Sequence, residues 1–181
     1  MDIEIVSDTG VIALNLEKMN EVLVMGENCL ICHRIQMIVD QTNPYFVAEL
    51  KTGYVVIGDH QLFKGYTLFL CKEHQPELHR LDEAFKAAFL VEMSQVAEAV
   101  YKAFQPEKLN YELLGNGDAH MHWHLFPRRS TDPVNGPVWW TDRDVMSSDD
   151  VRPTGEELEA MKSNLLNELK NLQPLLKTYK D

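Results

Sequence analysis

Between residues 120 and 126 the chain reads His-Met-His-Trp-His-Leu-Phe, with histidines at 120, 122 and 124. An imidazole of near-neutral pKa can act as a nucleophile, a general acid or base, or a metal ligand. Successive side chains of an extended strand point to opposite faces, so this spacing sets all three imidazoles on one face. Met121, Trp123 and Leu125 then fall on the other face, where they can pack into a core. A lone histidine often does no more than bond to backbone. Three on one strand face are hard to explain by packing, which makes this strand the expected centre of function. From the residues alone two chemistries stay open: covalent catalysis by an imidazole, and zinc binding by a His-x-His pair with a third ligand from elsewhere.

Other chemically capable residues are scattered. Cys29 and Cys32 form a C-x-x-C pair, while Cys71 lies in an apolar stretch and reads as buried core. Three cysteines so spaced do not suggest a disulfide framework and fit a reduced, cytoplasmic setting. The formal net charge of −11 weighs against nonspecific binding to nucleic acid or to an acidic membrane. It remains compatible with a small anionic substrate if the site supplies cations of its own, and Arg128 and Arg129 directly follow the histidines. His33, His60 and His79 sit in polar surroundings and read as surface residues. Trp139 and Trp140 read as loop anchors, with stacking on a base as the functional alternative. No apolar run approaches the roughly 18–20 residues of a membrane span. The acidic start, Met1-Asp2-Ile3-Glu4, lacks the basic region of a secretory signal.

These residues need elements to position them. At 181 residues, 45% hydrophobic and 25% charged, the chain has the size and balance of one globular domain with extensions. Ile3, Ile5 and Val6 suit a short strand, and Val11 to Val24 carries apolar positions at helical spacing. Tyr45–Leu50 and Tyr54–Ile57, separated by Lys51-Thr52-Gly53, read as a hairpin, and Tyr66–Cys71 as a further strand. Leu81, Phe85, Phe89, Val96, Val100 and Phe104 mark one face of a long helix over about residues 79–104. Leu109–Leu114 and His120–Phe126 form a second strand pair around Gly115-Asn116-Gly117-Asp118, closed by Pro127. Residues 128–153 read as an ordered loop or lid. Thr154-Gly155-Glu156-Glu157 has capping-box spacing and opens a helix whose leucine stripe runs from Leu158 to Leu176. Helices do not alternate regularly with strands, so the expected class is α+β, with an antiparallel sheet of about five strands, one long helix and an additional C-terminal helix. The expected organisation is an N-terminal extension over 1–27, a domain over 28–130, and a C-terminal loop and helix over 131–181 packing on it.

The motifs resemble those of the histidine triad (HIT) superfamily. His120-Met121-His122-Trp123-His124-Leu125-Phe126 is similar to its His-φ-His-φ-His-φ-φ signature, followed here by Pro127-Arg128. Cys29-x-x-Cys32, Lys64-Gly65 before an apolar strand, Lys72-Glu73-His74 at its end, the long helix, Leu109-Asn110 and Gly115-Asn116 come in that family's order. The resemblance covers about residues 29–128. It implies a nucleotide-binding α+β domain, usually a homodimer, that attacks the α-phosphate of a nucleotide conjugate. By the same resemblance His122 is the nucleophile that forms a nucleotidyl-histidine, and His124 contacts phosphate oxygens. Gly115, Asn116, Asn110 and Arg128 are implied substrate contacts, and Asp59 occupies the position that binds ribose hydroxyls. In a subset of the superfamily, residues matching Cys29, Cys32, His74 and His120 hold a structural zinc; no organic cofactor is implied. Many members carry a histidine where this chain has Tyr66. That departure makes the chain look closer to bacterial members resembling diadenosine polyphosphate hydrolases, so a dinucleoside polyphosphate is the favoured conjugate. The competing readings are a zinc hydrolase with all three triad histidines as ligands, and a nucleotide-binding module with little turnover.

Overall fold

A computed structural model describes residues 4–7, 10–13, 29–172 and 174–181. Two short strands, β1 (Glu4–Ser7) and β2 (Gly10–Ala13), pair antiparallel with each other. The helix expected from Val11 is therefore a strand over its first three residues; the rest of that stretch lies outside the described residues. From Cys29 onward the chain forms helix α1 (Leu30–Val39) and strands β3 (Phe46–Glu49), β4 (Gly53–Ile57) and β5 (Thr67–Cys71). Helix α2 (Glu83–Phe104), strands β6 (Lys108–Leu113) and β7 (His122–Arg128), a one-turn helix α3 (Arg143–Met146), helix α4 (Gly155–Leu172) and strand β8 (Lys177–Thr178) complete it.

The main sheet has six strands in the order β6-β7-β5-β4-β3-β8, and every neighbouring pair is antiparallel. The α+β class and antiparallel sheet are as expected, but the strand number is one higher than five. The sixth strand arises where the leucine stripe was expected to continue. Helix α4 ends at Leu172, shortly before Pro174, whose ring has no N–H to donate. Leu176 is exposed, and Lys177–Thr178 pair with Glu49–Ala48 on the edge of β3.

Local chemistry sets the helix ends. Asp82 accepts hydrogen bonds from the backbone N–H of Ala84 and Phe85, so α2 begins at Glu83 rather than near 79, and Leu78–Arg80 form a separate 3-10 turn. Thr154 and Glu157 satisfy each other reciprocally: Thr154 N–H donates to the Glu157 carboxylate (2.9 Å) and Glu157 N–H to Thr154 Oγ1 (3.3 Å).

The sheet's two faces have separate tasks. One carries Val55, Ile57, Phe69, Leu109, Met121 and Leu125 and is covered by α2 and α4 through Phe89, Val96, Val100, Leu165 and Leu169. Phe69 stacks on Phe89 at 5.1 Å between ring centroids, tying sheet to helix. The other face carries Val56 and Leu70, packed with Ile31 and Ile38 of α1. Met121, Trp123 and Leu125 pack on the first face, as the alternation of the triad demanded. No described helix is long and apolar enough to cross a membrane.

Candidate active site and metal centre

Strand pairing fixes the histidines. His122 lies opposite Leu70 and His124 opposite Leu68 on β5, while Glu112 of β6 lies opposite His124. The row His122, His124, Phe126 therefore occupies the face that α1 covers in part, between the two flanking strands. The imidazoles of His122 and His124 meet edge to face at 4.7 Å. His120 departs from the simple alternation: β7 starts at His122, and the His120 ring turns away towards α1, edge-on to His74 at 5.0 Å.

Each ring is held by a different partner. His122 Nδ1 lies 2.6 Å from the carbonyl oxygen of His120. A carbonyl only accepts, so Nδ1 carries the proton and Nε2 keeps its lone pair. His124 Nδ1 lies 2.6 Å from the Tyr66 hydroxyl. Burial, with smaller effects from Asp59 and Glu112, raises Tyr66 above the ordinary phenol range, so its hydroxyl stays protonated and donates. Burial, then the neighbouring His122, pushes His124 down to about 4, which leaves it neutral with its proton on Nε2. Tyr66 itself is seated by Gly58, where a Cβ would fall 2.1 Å from the phenol ring, and it stacks on Phe126 at 4.3 Å. Gly65 just before it has φ +92°, which an L side chain resists.

His120 belongs to a second cluster. Cys29, Cys32, His74 and His120 each offer a donor atom, and the four atoms lie within 4.8 Å of one another. Cys29 is the residue before α1, and its Sγ accepts from the Cys32 N–H. Cys32 Sγ lies 3.1 Å from His74 Nδ1 and 3.3 Å from His120 Nδ1. His120 Nε2 is 2.8 Å from the Cys71 carbonyl, so Nε2 holds the proton and the Nδ1 lone pair faces the thiols. That is the orientation a metal-ligating histidine adopts, with its other ring nitrogen donating to a backbone carbonyl. Two thiolates and two imidazoles suit tetrahedral zinc in a closed site. Burial and the neighbouring Cys29 push the Cys32 thiol up to about 12 without a cation. His122 and His124 are not part of this donor set, which weighs against a metal held by the whole triad.

The other expected site residues are less uniformly placed. Asp59 lines a cavity of about 250 Å³ with Ile31, Val56 and Leu68, but both its carboxylate oxygens bond Arg34 of α1, one at 2.9 Å. Gly115 and Asn116 lie exposed in the turn between β6 and the triad. Arg128 does not point its charge at the histidine row. Its guanidinium meets Asp132 (2.9 Å), Asn110 (3.2 Å) and the carbonyls of Gly136 and Val134 (both 2.7 Å), and so anchors the loop after β7. Asn110 is thereby engaged as well. Arg129 donates to the carbonyls of Lys64 and Phe104. Neither arginine supplies the local cation that the sequence suggested: Asp132, Asn110 and loop carbonyls hold Arg128, and the carbonyls of Lys64 and of Phe104 at the end of α2 hold Arg129.

Sequence reasoning missed Arg34, which nothing marks out within its helix, and His60, which is half-buried rather than a surface residue. His60 Nε2 is buried without a partner, and burial lowers its pKa. A second cavity, of about 320 Å³, is lined by His60, Tyr66, Glu112, His124 and Phe126 and closed by Val138, Trp139 and Met146 from the 128–153 segment.

Comparison with known proteins bears on this arrangement. Residues 45–131 match the HIT domain model. An adenosine 5'-monophosphoramidase of Schizosaccharomyces pombe is 29% identical over 121 residues, covering 63% of this chain and 85% of that protein. A histidine triad protein from Bradyrhizobium japonicum superposes with a TM-score of 0.61 at 23% identity, covering 68% of this chain and 89% of the other. A zinc-bound histidine triad family protein from Mycobacterium smegmatis does so with a TM-score of 0.56 at 19% identity, covering 81% and 96%.

Proposed function

Residues 45–131 are a HIT domain, and from that premise we propose that the protein hydrolyses nucleotide conjugates, or transfers their nucleotidyl group, through a covalent intermediate on His122. One observation carries the reading. The His120 carbonyl holds the Nδ1 proton of His122 at 2.6 Å and leaves Nε2 as a free lone pair. Nε2 attacks the α-phosphorus. The bond from phosphorus to the leaving group breaks, and its electron pair stays on the leaving atom, which takes a proton from solvent. As Nε2 bonds to phosphorus the ring gains positive charge, and the Nδ1–H bond to the carbonyl strengthens as that charge develops. His124, neutral and protonated on Nε2, is set to donate to a phosphoryl oxygen. Water or another acceptor then displaces His122 from phosphorus and regenerates the free imidazole.

Between the two conjugate classes, the monophosphoramidase relative supports a nitrogen-linked leaving group over the dinucleoside polyphosphate favoured from the sequence. In this reading the nucleoside occupies the cavity lined by Asp59, Ile31, Val56 and Leu68. Zinc is the metal proposed for Cys29, Cys32, His74 and His120, where it would supply structure and hold the His120 peptide that orients His122. The zinc-bound relative supports that assignment.

The test is intact-mass analysis of protein quenched during turnover of an adenosine phosphoramidate. Wild type should carry an acid-labile adenylyl adduct. His122→Ala should fold, carry no adduct and lose at least about three orders of magnitude in kcat/KM. Near-normal hydrolysis by His122→Ala would sink the proposal.

A further inference from the structure

We infer that Arg34 is a positioning residue for the sugar: it aims the Asp59 carboxylate so that the cavity selects a nucleotide with two free, adjacent ribose hydroxyls. The inference rests on the reading that the nucleoside occupies that cavity, and it names the residue that sets the sugar preference.

The place of Arg34 on its helix makes the first argument. Ile31, Arg34, Ile35 and Ile38 recur at three- and four-residue spacing, so they share one side of α1. The three isoleucines pack with Val56 and Leu70 on the sheet. A guanidinium on that side gives up water and gains only if it meets a partner. Its partner is Asp59, in the loop between β4 and β5. Nη1 donates to one carboxylate oxygen at 2.9 Å, and Nη2 donates to the other.

The backbone beneath the pair makes the second. The Asn43 amide donates to the Arg34 carbonyl at 3.2 Å and accepts from the Tyr45 N–H at 3.0 Å. It thereby ties this turn of α1 to the start of β3. Under Asp59, the buried Gln61 side chain donates to the carbonyls of Gly58 (2.8 Å) and Tyr66 (2.9 Å). It also accepts from the Gly65 N–H at 2.8 Å. Both backbones are held in place, and the two-pronged bond then fixes the plane of the carboxylate.

What the carboxylate can still accept makes the third. An ionised carboxylate offers about four lone-pair positions, and the guanidinium takes two. Two remain, one on each oxygen, with their directions set. The Arg34 and Asp59 side chains are 26% and 22% exposed, so a ligand can reach them. Among the described residues Asp59 is the only carboxylate of the lining, and Arg34 its only arginine or lysine. A ribose with both hydroxyls free presents two O–H donors side by side, one for each oxygen. A deoxyribose presents one and leaves a charged acceptor short of a partner.

The experiment is calorimetric titration of the whole chain with adenosine 5'-monophosphate and with its 2'-deoxy and 3'-deoxy analogues. Wild type should bind the ribonucleotide at least about tenfold more tightly than either analogue. Arg34→Ala should lower that ratio to within about threefold. Arg34→Lys keeps the charge without the fork and should not restore it. Asp59→Asn should lower the ratio as far as Arg34→Ala, and the double variant no further. A merely structural role for Arg34 would weaken all three nucleotides together and leave their ratio untouched. A ratio near one in wild type, a ratio unchanged in Arg34→Ala, or a full ratio in Arg34→Lys overturns the inference. Those outcomes leave attack by His122 intact, because binding is read without turnover. Absence of binding by all three nucleotides to wild type overturns the nucleoside's place in the cavity, and this inference with it.

Discussion

His124 shows how one residue's environment becomes a measurable property. Its ring is pushed down to about 4, first by burial and then by His122, whereas an unfolded histidine titrates near 6.5. Between those values the unfolded chain binds a proton that the folded chain refuses. The stability tied to neutral His124 is thus complete above about pH 6.5 and drains away as the pH falls towards 4, by up to about 3 kcal/mol. Urea midpoints at pH 7.5 and 4.5 should show a larger acid loss for wild type than for His124→Gln. Equal losses would mean that His124 titrates freely. The neutral state was not legible in the motif. Spacing alone shows that three imidazoles share a strand, but the proton positions depend on the His120 carbonyl and on Tyr66, 58 residues away in sequence.

Among elements, those with periodic patterns were legible and those defined by distant partners were not. Helix α2 and the β3–β4 and β6–β7 pairs appear where alternation and spacing put them, with ends moved a few residues by Asp82 and by the late start of β7. Helix α1 went unread because its ten residues hold only two buried side chains, and β8 because two residues carry no period. Yet α1 carries Cys32 and Arg34 and adjoins Cys29, so it touches both the metal cluster and the Asp59 cavity. If zinc ties α1 to the start of β7, a strong chelator or Cys32→Ala should lower Tm by roughly 5 °C or more. Amide exchange should quicken over residues 30–39 and 118–122, with metal analysis returning one zinc per chain for wild type. Unchanged exchange in α1 after complete metal removal would exclude that tie.

The main sheet has two unlike faces: helices α2 and α4 cover one, and α1 packs on the other, the face that carries His122 and His124. The sheet also has an unpaired margin. Among the described residues β6 has a partner on one side only, and its flank exposes Tyr111 and Leu114 at about half their surface. Exposed strand edges invite pairing, and the homodimer implied by the family resemblance would add a second copy there. Sedimentation should give twice the chain mass for wild type and the single-chain mass for Tyr111→Lys; a wild-type monomer at high micromolar concentration removes the dimer.

The histidine row between two cavities also has a kinetic meaning. If a nucleotide is held covalently on His122, the space that the departed group vacates would be the approach open to whatever attacks next. Water and a returning leaving group would then compete for one entrance. Hydrolysis and exchange would be two fates of that covalent state, with their balance set by access more than by any change at phosphorus.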